Sequence, residues 1–489
     1  MKNIYKLLVA VILLYTATSC SGDWLDTSPS DGLPKEEAIT NLNDASNALT
    51  GVYDRLQGSS TYPSYYGARM IYYGDVRGDD MQAAGATKRT APSYQMTYTV
   101  NSGAPQIWEV PYMVIRRANS LIKAIDNNSV TDATTEELDS IKGQALAIRA
   151  LAHFDLARVY SKPYTIEGGS TLGIPVVLEP LAYDATPSRN TLEEVYTQVI
   201  SDLKESIQKM TPTKSTGYFN QWAAKALLAR VYLYKGDNAN AFSTAVDIIN
   251  NSPYKLWTNE EYEGAWAKSG TSEVIFEIVN ASNDDWVDRE SIGYLYAEEG
   301  YDDAIMTKKY VDMVESNYAN DVRLTLMSKG KKTTNKWGTN KVYINKYPGR
   351  EGTSDIRINN LPILRLSETY LIAAEAAAKS GDATNAAKYL NAIVKRGNPD
   401  ATELTPAQAT EDRILQERRI EFVGEGHRFF DLLRNNKDIV RYTTDADQGW
   451  HLPLTQESRS FSYDYFRAIL PIPAAEISAN PTIQQNPEY

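Results

Sequence analysis

Cysteine is nearly missing: one residue, Cys20, in 489. That excludes an intramolecular disulfide framework. Histidine is almost as scarce. His153, His427 and His451 are scattered along the chain and do not make the ligand set of a typical zinc enzyme. Positive charge is in deficit, with 50 Lys and Arg against 62 Asp and Glu and a formal net charge of −12. No basic excess exists to neutralise a phosphate backbone, so a nucleic-acid partner is not expected. Beyond the N-terminus no apolar run approaches the roughly 18 residues of a membrane-spanning helix. HExxH, GxxxxGK[ST], GxSxG and the EF-hand loop are all absent. The lone Gly-X-Gly, Gly424-Glu425-Gly426, sits in a helical pattern with no strand before it. No metal, cofactor or catalytic residue is therefore expected.

What is present describes a globular chain. Apolar residues make up 42% and charged residues 23%, enough for a core and too apolar for disorder. Residues 1–19 read as a secretory signal: Lys2 and Lys6, the apolar run Leu7–Leu14, then small Ala17, Thr18 and Ser19. The only cysteine follows at once. This resembles the bacterial lipobox, in which Cys20 becomes the lipidated first residue, with Ser21 after it in place of the aspartate that marks inner-membrane retention. Loss of Lys2 and Lys6 leaves 48 basic against 62 acidic residues, a net charge of −14. Residues 20–34 are a polar, turn-rich leader.

From there helical periodicity dominates. Apolar residues recur every three or four positions over 36–57, with similar stretches at 105–126, 136–160, 191–209, 219–235, 238–250, 364–379, 383–396 and 408–434. The last is expected to bend at Gly424 and Gly426. Strand-like runs are few, Ser272–Val279 and Lys341–Lys346 being the best. The class is mainly α. Two segments, Ala224–Asn250 and Thr369–Lys395, each carry Gly-Asp between two helical stretches. Aligning Gly236 with Gly381 pairs Ala229 with Ala374 and Ala241 with Ala386. Small residues there allow close helix approach, and glycine ends the first helix. The pattern resembles the tetratricopeptide repeat. Tyr232 fills a consensus aromatic position that Ala377 leaves empty.

A single domain over 35–489 is expected, with a helical scaffold (about 35–60, 105–250 and 362–434), a loop-rich part (about 61–104 and 251–361) and a tail (435–489). The loop-rich part holds Trp257, Trp266, Trp286 and Trp337, half of the eight tryptophans. Residues 62–73 add five tyrosines. Sugars offer flat C–H faces and rings of hydroxyls, which Trp and Tyr stack on and Asp, Asn and Arg bond to; these aromatics bring rigid area with a polar tip. Trp108 and Trp222, on amphipathic helices, read as core. Trp286, in Asn283-Asp284-Asp285-Trp286, reads as a loop aromatic. The pairs Asp79/Asp80, Asp284/Asp285 and Asp302/Asp303 fit the two-carboxylate chemistry of a glycosidase only if they flank a sugar, and chance pairs are expected among 62 acids. The segment 413–434 reads as a structural staple: Arg418, Arg419, Glu421, Glu425, Arg428, Asp431 and Arg434 at spacings that let guanidinium forks meet carboxylates. His427 beside Glu425 has no nucleophile near it in the pattern.

Several blocks together resemble the SusD/RagB lipoproteins of Bacteroidetes. They are Cys20 followed by Asp23-Trp24-Leu25-Asp26 and Pro29, then IWEVPYMVIRRANSLI (107–122) and GQALAIRALAHFDLARVYSKPY (143–164). LRLSETYLIAAEA (364–376), ERRIEFVGEGHRFFDLLR (417–434) and LPIPAAEISANPTIQQNPEY (470–489) complete them. Asn435-Asn436 and Glu488 depart from the family pattern. The resemblance implies tetratricopeptide-like helix pairs carrying a loop-rich half. It implies a non-enzymatic outer-membrane surface lipoprotein that binds oligosaccharides, or in a minority peptides, and delivers them to a TonB-dependent SusC-like transporter. Ligand contacts are then expected from Tyr65–Asp80, Tyr94–Asn101 and about 257–347: Tyr72, Tyr98, Trp286, Tyr296 and Trp337 for stacking, and Asp75, Arg77, Asp80 and Asn101 for polar contacts. The alternatives are import of peptides, a surface glycoside hydrolase and a protein-binding scaffold.

Overall fold

A computed structural model describes residues 38–58, 65–102, 106–281, 290–331, 341–353 and 355–489. Cys20 and the leader lie outside the described residues. Each periodic stretch becomes a helix, with ends set by local capping. In chain order these are α1 (Leu42–Gln57), α2 (Gln106–Asp126), α3 (Thr135–Tyr160), α4 (Leu192–Lys209), α5 (Gln221–Lys235), α6 (Asn238–Asn251), α7 (Leu366–Lys379), α8 (Ala383–Gly397), α9 (Glu411–Glu421) and α10 (Arg428–Arg434). α1 starts later than its periodicity because the Asn41 side chain accepts from the Asp44 N–H and fixes the first turn there. Thr134 with Glu137 and Thr191 with Glu194 form capping boxes at the starts of α3 and α4. The 408–434 pattern is two helices, with Gly424 and Gly426 both at positive φ between them.

Successive helices pack in a chain, α1 on α2, α2 on α3, and so on to α8, with α9 also against α7. The inner members, α5 and α7, are apolar and buried nearly all round, whereas α4 and α8 bury one stripe. The two Gly-Asp turns are built alike. Gly236 and Gly381 both take φ 80°, and Asp237 and Asp382 cap α6 and α8 by accepting from the N–H groups of Asn240 and Asn385. Ala229, Ala374, Ala241 and Ala386 are fully buried where α5 meets α6 and α7 meets α8.

The rest of the chain has little regular structure. Four antiparallel two-stranded pairs form: β1 (Met81–Ala83) with β3 (Ala304–Met306), β2 (Val274–Ile278) with β6 (Leu361–Arg365), β4 (Met327–Lys329) with β5 (Val342–Ile344), and β7 (Ile439–Val440) with β8 (Ser460–Phe461). β2 and β5 fall inside the two runs read as strands. β6 was not foreseen; it precedes α7 directly and ends the helical pattern at Leu366.

Candidate functional site

The segment expected to carry the ligand folds inward. A π-helical turn, Tyr65–Arg69, runs into the short helix Met70–Val76. The hydroxyls of Tyr65 and Tyr66 both donate to the Asp155 carboxylate on α3. Gly74 lies so close to the 424–426 turn that a Cβ there would be 1.9 Å from the Gly426 carbonyl oxygen. Asp75 Oδ1 accepts from the Gly426 N–H at 3.0 Å and Oδ2 from the Tyr296 hydroxyl at 2.9 Å. Burial pushes the Asp75 carboxyl up to about 7, partly offset by these two bonds.

The Arg77 guanidinium is fully buried, 4.1 Å from the Phe429 ring and 4.2 Å from that of Tyr73. It donates to the Tyr98 hydroxyl at 2.6 Å and to the Arg467 carbonyl at 2.5 Å. Asp80 meets Arg419 at 2.5 Å, and Asp79 meets Arg428 at 2.7 Å. Burial pushes the Asp79 carboxyl up, but Arg428 and Arg419 more than offset this and hold it well below the usual range. The Tyr72 hydroxyl accepts from Arg69 at 3.2 Å.

Tyr72, Tyr98 and Tyr296 are therefore corrected from stacking platforms to core residues. At 5% exposure or less they present no ring face to a sugar. Asp75, Arg77 and Asp80 are likewise no more than 1% exposed; Asp75 and Arg77 are bonded to groups of the protein and Asp80 is ion-paired with Arg419. Asn101 is exposed, in the tight turn bridged by Thr99 and Ser102. Trp286 and Trp337 lie outside the described residues.

The tryptophan concentration also has a structural component. Trp257, Tyr262 and Trp266 stack edge to face, with centroids 5.4–6.2 Å apart. They wall in an ionic hub. Glu421 lies 3.0 Å from Arg365, 2.5 Å from Arg396 and 3.2 Å from Arg323; Glu273 meets Arg365 and Arg396; Glu425 meets Arg365 and Lys346. Arg365 sits 5.1 Å over the Trp266 ring and Arg396 4.4 Å over Tyr262. The 413–434 staple is real, but most of its partners come from outside the segment. Within it, Arg418 and Arg434 both bind Asp431. His427 faces Glu368 at 3.9 Å rather than forming a pair with Glu425, and burial holds it down at about 4, so it is neutral at pH 7.

Above this platform a different set of residues reaches the surface. Tyr294 and Tyr301 are half-buried, with ring centroids 4.9 Å apart and edge to face. The Arg89 guanidinium lies 4.2 Å over the Tyr301 ring, 2.9 Å from Glu290 and 3.4 Å from Asp303. Burial pushes Asp303 up to about 6, against the pull of Arg89 and Lys88. Asp302 binds Lys341 at 2.6 Å and the Tyr343 hydroxyl at 2.8 Å. Rings, guanidinium and carboxylates thus share one partly exposed face, able to stack on an apolar surface and bond hydroxyls at its edge. Sequence reasoning chose Tyr296 and missed Tyr294. On the short helix Ile292–Tyr296 two positions are about 200° apart, so when one faces in, the other faces out.

The carboxylate pairs do not form an open two-acid site among the described residues. Asp79, Asp80, Asp302 and Asp303 each have cationic partners. Asp284 and Asp285 lie outside the described residues, and no group of three or more His, Cys, Asp or Glu suited to a metal ion occurs among the described ones.

Comparison with known proteins agrees along the whole chain. A family profile described as SusD family matches residues 181–489, and one described as starch-binding associating with outer membrane matches 23–233. SusD-like protein P38 of Formosa agariphila is 25% identical, covering 100% of this chain and 99% of that protein. A SusD superfamily protein from Bacteroides thetaiotaomicron VPI-5482 has a structure with 37% identity and a TM-score of 0.86, covering 92% of this chain and 100% of that one. A second, from Bacteroides vulgatus ATCC 8482, shows 38% identity and a TM-score of 0.83, covering 92% and 99%.

Proposed function

The chain belongs to the SusD family, and from that premise we propose that it captures glycans at the cell surface and passes them to a TonB-dependent, SusC-like outer-membrane transporter. The observation that carries the ligand reading is the Tyr294–Tyr301 pair with Arg89 stacked on it and carboxylates at its edge. Half-exposed rigid rings with charged flanks suit the C–H faces and hydroxyls of a sugar. The matched description, starch-binding associating with outer membrane, supports both the ligand class and the location. Among the described residues no helix is long and apolar enough to cross a membrane. Anchoring is assigned to acyl chains on Cys20, several of which give durable attachment.

In this reading Trp286, Trp337 and Asn101 also contact the glycan, and the buried residues hold the fold that carries these contacts. The protein acts by capture, and no bond is made or broken. Affinity from stacking and hydroxyl bonds is modest, and retention comes from simultaneous engagement with the transporter.

The test is calorimetric titration of the full chain in detergent against starch, laminarin, xylan, mannan and host glycans. One of them binds and is recovered unshortened. Tyr301→Ala weakens it at least about tenfold, or ~1.4 kcal/mol, whereas Tyr296→Phe, deep in the core, does not. No binding across the panel defeats the glycan reading and favours peptides, whereas glycan binding indifferent to both Tyr301→Ala and Trp286→Ala keeps that reading and defeats the assigned face. Failure to co-purify with a SusC-like transporter defeats the delivery half alone.

A further inference from the structure

A second surface feature belongs to neither the ionic platform nor the Tyr294–Tyr301 face. A groove of about 680 Å³ opens between the first turns of α2, the segment 175–187 and residues Pro473–Glu476. The other recesses described hold only about 10–30 Å³. The groove is of the size that holds a ligand. Beside it the chain keeps large apolar side chains in water. Of the four exposed large hydrophobic residues among the described ones, three stand here: Leu178 (38% exposed), Leu181 (43%) and Tyr183 (108%). Clustered exposed apolar residues mark contact surfaces.

Three features identify the occupant. First, the walls are mainly aliphatic. Met113, Val177, Leu181 and three prolines line them. The one tryptophan, Trp108, is 4% exposed, with its indole N–H bonded to Glu476, and Tyr112 is half-buried, so the open ring area is confined to Tyr183 at the rim. Second, the main chain along the rim is open to pairing. Residues 178–182 form no helix or strand, and among the described residues no backbone–backbone bond uses the N–H of Glu179, Leu181, Ala182 or Tyr183. An irregular stretch with unused N–H groups beside apolar pockets suits an extended polypeptide, which supplies matching carbonyls and anchoring side chains. Third, Glu109, Glu179 and Glu476 line the groove with one lining cation, Arg116; Lys123, 3.3 Å from Glu179, offsets part of that charge and leaves the walls net acidic. That excess complements a positively charged occupant.

We propose that this groove is a docking site for an extended, basic polypeptide segment of a partner protein, with an apolar side chain seated beside Leu181 and Tyr183. None of its lining residues belongs to the face assigned to glycan, so either site can fail without the other.

The probes are a fluorescent decapeptide of alternating leucine and lysine, the same peptide with glutamate for lysine, and laminarin, tested by anisotropy on the full chain in detergent. The lysine peptide binds saturably and the glutamate peptide does not. The double variant Leu181→Ser/Tyr183→Ser and the double variant Glu109→Lys/Glu179→Lys each weaken the lysine peptide at least about tenfold. All four residues are exposed, so unchanged thermal melts check that both variants fold. Four results overturn the proposal: no saturable binding of the lysine peptide, equal binding of the two peptides, indifference to both double variants, or displacement of the lysine peptide by laminarin.

Discussion

The helical half and the loop-rich half solve the same problem by different chemistry. In the stack α1–α8 the backbone hydrogen bonds are internal to each helix, and side chains are left to pack. Ala229, Ala241, Ala374 and Ala386 let neighbouring helices close up, and ion pairs such as Arg149–Asp202 and Arg230–Glu368 join whole helices rather than loose strands. In the loop-rich half the strands are two to five residues long and pair only two at a time, too little to be stable alone. Buried carbonyls there still need donors. Arginines supply them. The guanidinium of Arg441 bonds the carbonyls of Gly78, Arg77, Val76, Tyr94 and Ser458. Arg77 takes that of Arg467, Arg467 that of Met96, and Arg350 that of Asn280. Arg77, Arg418 and Arg441 head the largest fully buried side chains. A guanidinium has five donors in a fixed plane, so one residue can tie several irregular strands that no ladder joins.

If that contrast is right, substitutions in the two halves fail differently. Arg441→Met should be the most damaging. It orphans several buried carbonyls at about 1–3 kcal/mol each, which together rival the stability of a whole domain. Hydrogen exchange should rise first across residues 76–98, with α5 and α6 still protected; equal loss of protection in both halves would break the distinction. Next comes Glu421→Gln, which removes the anion shared by Arg323, Arg365 and Arg396. Breaking a buried pair costs about 3–5 kcal/mol, so the urea midpoint should fall accordingly. A cost below about 1 kcal/mol would mean that Glu273, Glu425 and Glu417, which lies 2.6 Å from Arg323, already hold the hub.

Asp75 sharpens the comparison through pH. Its folded carboxyl is raised to about 7 from an ordinary value of 3.8, so the folded state holds the proton more tightly than the unfolded chain. Its contribution is fully present below pH 3.8 and is lost as pH rises through 7. At about 1.4 kcal/mol per unit, the swing is on the order of 2–4 kcal/mol. Asp75→Asn, which cannot ionise beside Tyr296, Lys346 and Glu425, should gain stability relative to the parent between pH 4 and 7 and stay level above pH 8. A difference that does not vary with pH would show that the carboxyl is already ionised at pH 5. The smallest effects should come from the scaffold turns. Gly236→Ala and Gly381→Ala each place a Cβ at φ 80° without a clash, costing about 1–2 kcal/mol for the left-handed backbone. Matching values at the two sites would support one repeated helix-pair design, and a wide gap would separate them.

The helices were legible because their rule is local. Apolar residues three and four apart choose both the conformation and the buried face, and Asn41, Thr134 and Thr191 announce where helices begin. The paired Gly-Asp turns were legible for the same reason. The candidate face was not. Tyr294 and Tyr296 are equivalent by composition and spacing, as are the four clustered tryptophans, and no periodicity runs through 251–360 to say which ring turns outward. The arginines of 413–434 were visible as a staple, but their partners Glu375, Asp80 and Asp79 lie 59 residues from Arg434, 339 from Arg419 and 349 from Arg428, and nothing local names them as partners.

By itself the sequence determined the mainly α scaffold, the positions of its helices, the family and the signal-like start before Cys20. These follow from periodicity, capping and contiguous motifs, which act over a few residues. Tertiary structure alone decided that Asp75, Arg77 and Asp80 hold a platform while Tyr294, Tyr301 and Arg89 reach the surface. In an irregular region the inward face of each residue is chosen by distant partners, such as Gly426 for Asp75 and Phe429 for Arg77, and only the folded chain brings those partners within 3 to 4 Å.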